Sequence, residues 1–290
     1  MIHYLKRNKV NVEKYDFCIK NALNSRIYAY SWYLDIVADN WDVLVLNDYE
    51  AVMPLPWRQK YFIKYIYPPA WTQQLGVFSS NTISEELIVS FIKAIPRKFK
   101  KITIQFNSGN VFKHKNITER VNYILPLNRS YEEVYKEYRA DRKNRVKQGY
   151  RNNLSIKEVN IQSLIEIGKR YYSYLNINND DYLKLKKLAF YALKKKNGFI
   201  TGIERNDGSI LGGVLFLESK SRITYLFSVV TDEGKNKQVT SSIIDSLIKD
   251  KISSNKTLDF EGSMIDGIAD FYKSFGGKKE LYYLYKQKRI

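Results

Sequence analysis

One short string written twice limits what this chain can fold into more than any other feature. Residues 103–109 read TIQFNSG and residues 257–263 read TLDFEGS. Each follows a segment with apolar residues at helical spacing, Leu87, Ile88, Phe91 and Ile95 within 84–95 and a second set within 239–252. A helix that empties into a similar strand at two distant places predicts one supersecondary module present in two copies. Around the second string, a strand over 257–260 leads to a turn at Glu261, Gly262 and Ser263, then to a helix over 266–274. Ile268, Phe271, Tyr272 and Phe275 give that helix one apolar face, and Gly276-Gly277 stops it, because glycine takes positive φ without a Cβ clash. Acids at the carboxyl end of a strand that feeds a helix lie where α/β folds place ligands. A plain strand-turn-helix with a capping Ser or Asp has the same pattern.

The remaining apolar runs fit two copies. Strands are expected at 41–46, 51–57 and 61–67 in the first and at 199–204, 210–217 and 222–230 in the second. Each trio is followed by a helix, the repeated strand and a last strand, at 120–127 and 280–285. The expected fold class is α/β with mixed sheets, in two domains, 1–128 and 129–290. Between strands of the first copy, Pro68-Pro69 fixes φ and removes two donors, so the stretch PPAWTQQLG is expected to kink. Trp71, Gln73 and Gln74 are then suited to line a groove by stacking and hydrogen bonding; core packing is the competing fate of Trp71.

Composition narrows the chemistry. The 290 residues include one cysteine, Cys18, and two histidines, His3 and His114. A Cys-based metal cluster and an internal disulfide are excluded, and a His-dependent covalent nucleophile has no promising setting. No stretch approaches the roughly 20 apolar residues that span a bilayer, and the N-terminus lacks the apolar core of a signal peptide, so a cytoplasmic location without an integral membrane segment is expected. The 48 Lys and Arg against 30 Asp and Glu give a net charge of +18. Such a surplus attracts polyanions, although a composition rich in Lys, Asn, Ile and Tyr together also follows from an AT-rich genome.

Part of that charge is clustered. Residues 139–157 carry Arg139, Arg142, Lys143, Arg145, Lys147, Arg151 and Lys157 against one acid, Asp141. On a helix several of these share a stripe, and arginines in a row clamp phosphates bidentately. A solvated face is the plain alternative.

The string DFEGS followed by G-x-x-x-FY-x-x-FGG (Gly267, Phe271, Tyr272, Phe275, Gly276, Gly277) resembles the C-terminal signature of the Fem-type GNAT-fold acyltransferases. The resemblance implies two GNAT folds in tandem, the second carrying the signature. It also implies an enzyme that moves an acyl or aminoacyl group from a phosphate-bearing carrier, acyl-CoA or aminoacyl-tRNA, to an amine, without a metal. The acceptor would be a small-molecule or lipid-linked amine, as in cell-envelope precursor synthesis, with tRNA and the surface of an anionic membrane as further partners. The basic connector is similar to the R-x-x-R segment opening the family's second domain, which carries over Arg142 and Arg145, with Gly149 behind them. The long paired helices that hold tRNA in some Fem proteins are missing, since 161–197 accommodates only two ordinary helices, a departure that weakens the tRNA-dependent version.

By the same resemblance, an amine attacks the carbonyl directly, and the fold supplies position and a backbone N–H for the oxyanion. The third strand of the second copy, ending at Val229 and Val230, is where GNAT folds splay. The loop after it, with Gly234, Lys235, Lys237 and Gln238, would hold a pyrophosphate at a helix N-terminus. Here it reads EGKNKQ rather than the [RQ]-x-x-G-x-[GA] of acetyl-CoA users, a departure that weakens a CoA assignment. Asp259 or Glu261 is the expected base or electrostatic anchor for the incoming ammonium, with Ser263 and Tyr272 as acceptor contacts. A non-catalytic GNAT-derived protein that binds RNA or anionic lipid through the connector is the alternative, distinguished by binding without turnover.

Overall fold

Periodicity places the helices and edge geometry decides which strands pair. A computed structural model describes residues 1–152, 154–175, 177–205, 207–262 and 264–289. These fall into two units, residues 1–121 with 280–290 and residues 122–279.

The first unit contains β1 (Ile2–Lys6), α1 (Val12–Asn21), α2 (Ser31–Val37), β2 (Asn40–Leu46), β3 (Ala51–Lys60), β4 (Ile63–Ile66), β5 (Phe78–Ser79), α3 (Glu85–Ala94) and β6 (Phe99–Phe106). Its sheet runs β1-β2-β3-β4-β6, with β5 paired to β3, and all neighbours are antiparallel except β4 and β6. Ser84 caps α3 by accepting from the Leu87 N–H. Ile88, Phe91, Ile92 and Ile95 then pack on Phe99, Ile102, Ile104 and Phe106 of β6. Strand β4 is shorter than the expected 61–67, because Tyr61 and Phe62 take positive φ and make the turn instead.

The connection β7 (Ile117–Pro126) leads to α4 (Tyr131–Glu137), α5 (Ala140–Arg151), β8 (Ile156–Glu158), α6 (Ile161–Tyr171), α7 (Asn179–Lys194), β9 (Gly198–Glu204), β10 (Ile210–Glu218) and β11 (Arg222–Val230). Then follow α8 (Asp232–Asn236), α9 (Val239–Lys251), β12 (Thr257–Asp259), α10 (Asp266–Lys273) and β13 (Lys278–Lys288). The second unit's sheet runs β8-β9-β10-β11-β12-β7, antiparallel except for β11 and β12. Helix α6 packs on β10 and β11, α7 on β9, and α9 on β9, β10 and β11.

Each sheet thus has antiparallel strands, one parallel pair bridged by a helix, and an antiparallel strand beyond it, which is the GNAT order in duplicate. The last strand of each departs from a simple sequence order. Residues Ile124, Leu125 and Pro126 of β7 pair with β12, and β13 pairs with β6 from Tyr283↔Phe106 to Lys288↔Lys101. A strand joins whichever edge matches its register and apolar face, and Tyr285 of β13 is fully buried in the first unit's core.

Candidate active site in the second unit

The parallel pair opens like a fork. Strand β12 pairs with β11 only at Arg222↔Thr257, Ile223↔Leu258 and Thr224↔Asp259, and β11 continues from Tyr225 to Val230 without it. On its other side β11 stays in register with β10 up to Gly212↔Val230, and the Thr231 N–H donates to the Leu211 carbonyl. Backbone direction alternates along a strand, so the N–H of Val229, like that of Thr231, faces β10, and that of Val230 faces the open side. Of the two expected oxyanion donors, Val230 is therefore the free one. The Tyr172 hydroxyl donates to the Val230 carbonyl at 3.4 Å on that same side, and burial raises its pKa.

The first unit closes the equivalent fork with its own chain. Strands β4 and β6 part after Ile66↔Ile102, and Leu75 then inserts beside Phe106, its N–H donating to the Gln105 carbonyl and its carbonyl accepting from the Asn107 N–H. The cavity left, lined by Tyr67, Pro68, Thr72, Gln73 and Gln105, measures about 10 Å³, room for one water. Gln73 reaches this cavity and Trp71 is half-buried at φ 61° with its carbonyl bonded to Tyr33. Gln74 is fully buried, its side chain accepting from the Ser108 N–H and donating to Gln73. The kink expected after Pro68-Pro69 is there, and it fills a gap in the sheet.

At the root of the open fork lies Asp259, with no exposed surface. One carboxylate oxygen accepts from Asn122 Nδ2 at 2.9 Å and from the Glu261 N–H at 3.0 Å; the other accepts from Arg222 Nη1 at 2.7 Å. With both oxygens occupied by a guanidinium and two N–H donors and no exposed surface, this carboxylate is placed to fix the strand end and offers no open face to an incoming amine. Arg222 and Asn122 were not expected from the sequence; the one available signal is an arginine opening the otherwise apolar strand RITYLFSVV.

Glu261 is set differently from Asp259 in exposure and backbone geometry. It is partly exposed, and it sits at φ 56° followed by Gly262 at φ 44°, a sharp left-handed step that turns the chain away from β12. A non-glycine residue there costs about 1 kcal/mol or more, a strain that functional sites commonly store. Behind it, Tyr272 stacks on Phe260 with centroids 4.8 Å apart and packs edge-on to Tyr225. Burial first, then the neighbouring Tyr225, Glu261 and Asp259, push the Tyr272 pKa well up, so its hydroxyl stays protonated beside the two acids. Ser263 lies outside the described residues.

The segment expected as a phosphate loop is the short helix α8, capped by Thr231, whose hydroxyl accepts from the Gly234 N–H. A Cβ on Gly234 would sit 2.3 Å from the Leu211 carbonyl oxygen, so glycine is needed there for close packing on β10. Lys235 pairs with Asp232, and Lys237 and Arg205 both pair with Glu233. Gln238 enters α9 at φ 62°, its side-chain amide donating to the Lys235 carbonyl. The lysines expected to add positive charge are thus neutralised by acids of the same segment.

The basic connector is α5. Asp245 on α9, fully buried, accepts from the hydroxyls of Tyr131 and Tyr138 and, with its other oxygen, of Tyr150, fastening α4 and α5 to α9. Arg142 points inward, only 3% exposed, donating to Ser274 and Ser241 and lying between the rings of Phe271 and Phe275 at 4.4 and 4.6 Å. Desolvation pulls its pKa down to about 10. Its guanidinium joins α5, α9 and α10, so the expected phosphate contact has a structural occupation instead. Arg139 is engaged by Asp141 and Asp270. Arg145, Lys147 and Arg151 face solvent, and none makes an ion pair among the described residues.

No family model matches the sequence, and no curated protein matches it. Solved structures do. FemX aligns with a TM-score of 0.70 at 11% identity over 97% of this chain and 96% of its own. A protein of unknown function from Bacteroides thetaiotaomicron gives 0.63 at 9% over 99% and 100%. The C-terminal domain of a putative lysylphosphatidylglycerol synthetase from Agrobacterium fabrum gives 0.59 at 11% over 96% and 91%. The chain has the Fem-like GNAT fold. Among the described residues no helix is long and apolar enough to cross a membrane, and no cluster of His, Cys, Asp and Glu is arranged to hold a metal ion.

Proposed function

We propose that the protein transfers an aminoacyl group from tRNA to an amine, with the carrier's ester entering the fork between β11 and β12. The observation that carries this reading is the open fork itself, six residues of β11 beyond its last pairing with β12 and the Val230 N–H directed into the gap. A preorganised N–H at a developing oxyanion stabilises the transition state without reorganisation. Glu261 holds the incoming ammonium and takes one proton from it, the neutral amine then attacks the ester carbonyl, and the second amine proton leaves with the ribose oxygen as the free tRNA hydroxyl. Asp259 with Arg222 fixes the strand end from which Glu261 projects. The shared fold of transferases such as FemX supports the reaction class.

Two features favour tRNA over CoA as carrier. The segment that would cradle a diphosphate is a capped helix with paired lysines, and the outward arginines and lysine of α5 offer an unpaired basic surface to a polynucleotide. The acceptor is an amine of a cell-envelope or metabolite precursor. The experiment is a melting assay against CoA and charged tRNA in parallel, followed by transfer to a panel of primary amines. A ligand at a hundred times its Kd adds about 2.7 kcal/mol of stability. Stabilisation by charged tRNA with transfer is the expected result. Stabilisation by CoA alone would reassign the carrier, and salt-sensitive tRNA binding without turnover would make this a binding protein.

A further inference from the structure

The hairpin of β3 and β4 carries an apolar surface that the transfer chemistry does not use. Beyond the Trp57↔Ile66 pair its arms run through Arg58↔Tyr65, Gln59↔Lys64 and Lys60↔Ile63 to a tight turn. At that turn Tyr61 is 82% exposed, Phe62 95% and the adjoining Ile63 52%. Tyr61 and Phe62 sit at φ 46° and 64°, the pair of left-handed conformations that a two-residue hairpin turn demands. Asn-Gly is the sequence that fits such a turn, and two aromatic residues fit it badly. Local folding preference therefore does not account for what is placed there.

Basic side chains surround the tip. Lys60 Nζ lies 5.3 Å from the centre of the Tyr61 ring and Lys64 Nζ 4.7 Å from that of Trp57, and neither lysine pairs with a carboxylate among the described residues. An aromatic point with a cationic collar behind it matches the two layers of a lipid surface: rings settle at the headgroup boundary and ammonium groups meet anionic headgroups.

We infer that the β3–β4 hairpin is a membrane-docking finger that inserts Tyr61, Phe62 and Ile63 into the interface of an anionic bilayer while Lys60 and Lys64 engage its phosphates. The inference stands independently of the proposed transfer reaction. A second copy of the chain is a poorer occupant, because the collar would repel its own image across a symmetric contact.

Co-sedimentation with vesicles of phosphatidylglycerol and phosphatidylcholine, against phosphatidylcholine alone, tests it. The wild-type protein is expected to bind the anionic vesicles and to bind the neutral ones weakly. The double variant Tyr61→Asn with Phe62→Gly supplies the residues the turn favours, so it keeps or raises the melting temperature while vesicle affinity falls more than about tenfold. Lys60→Gln and Lys64→Gln each weaken binding roughly fivefold. Absence of binding to anionic vesicles overturns the proposal. So does retention of full affinity by the double variant, which would place the contact elsewhere, or a micromolar wild-type dimer that the variant dissolves.

Discussion

At the scale of single residues, Asp259 and Glu261 stand two positions apart and have opposite fates. Asp259 is buried against Arg222, so Asp259→Asn leaves a guanidinium short of its counter-charge; a loss of about 3 kcal/mol in chemical denaturation is expected, the size seen when one partner of a buried pair is removed. In the protein that remains folded, kcat should fall by a smaller factor than in the Glu261 variant, because the carboxylate also holds the Glu261 N–H. Glu261→Gln should behave in the reverse way, melting like wild type while kcat drops about 10²- to 10⁴-fold with little change in KM. Both acids were legible in the string DFEGS. Which one is sealed was not, because the sealing groups, Asn122 and Arg222, come from other strands and share no local pattern with it.

At the scale of elements, α5 shows how far a charge run can be read. Its composition announces a basic helix, and periodicity cannot say which arginine turns inward. Arg142 goes in because Phe271, Phe275, Ser241 and Ser274 receive it, which is a property of α9 and α10. Replacing Arg145, Lys147 and Arg151 together by glutamine should leave the melting temperature unchanged and lower the salt dependence of tRNA binding by about 2 to 3 in log K per log salt. Arg142→Met should do the opposite, loosening the junction of three helices with no effect on that slope. At the start of α5, the Arg139 guanidinium holds the Asp141 carboxyl down at about 2 and lowers that of Asp270. Both carboxyls are depressed below their unfolded value of 3.8. Their contribution to stability is therefore complete above about pH 4 and is lost as pH falls toward 2, an acid limb that Asp141→Asn with Asp270→Asn should flatten.

At the scale of the whole chain, duplication was visible in TIQFNSG and TLDFEGS, and so were most helices, since their apolar spacing is a local property. The membership of β7 and β13 was not, because a strand's partner is fixed by register and edge rather than by chain order. Nor could the sequence show that only the second copy keeps an open fork, since Leu75 reaches β6 through a bend that PPAWTQQL suggests without specifying its destination. The two copies have thus diverged: in one the gap between parallel strands is filled by an adjacent segment, and in the other a backbone donor is left facing it.

That donor is open to a direct test. Val230→Pro deletes one N–H and leaves the bonds of β11 to β10 in place, because the Val230 N–H faces away from that strand. With labelled aminoacyl-tRNA and a mixture of primary amines, the wild-type protein should transfer the label, and the variant should do so about 10²- to 10³-fold more slowly with unchanged tRNA binding. Equal rates for the two proteins, or no protein-dependent transfer by the wild type, would contradict the account.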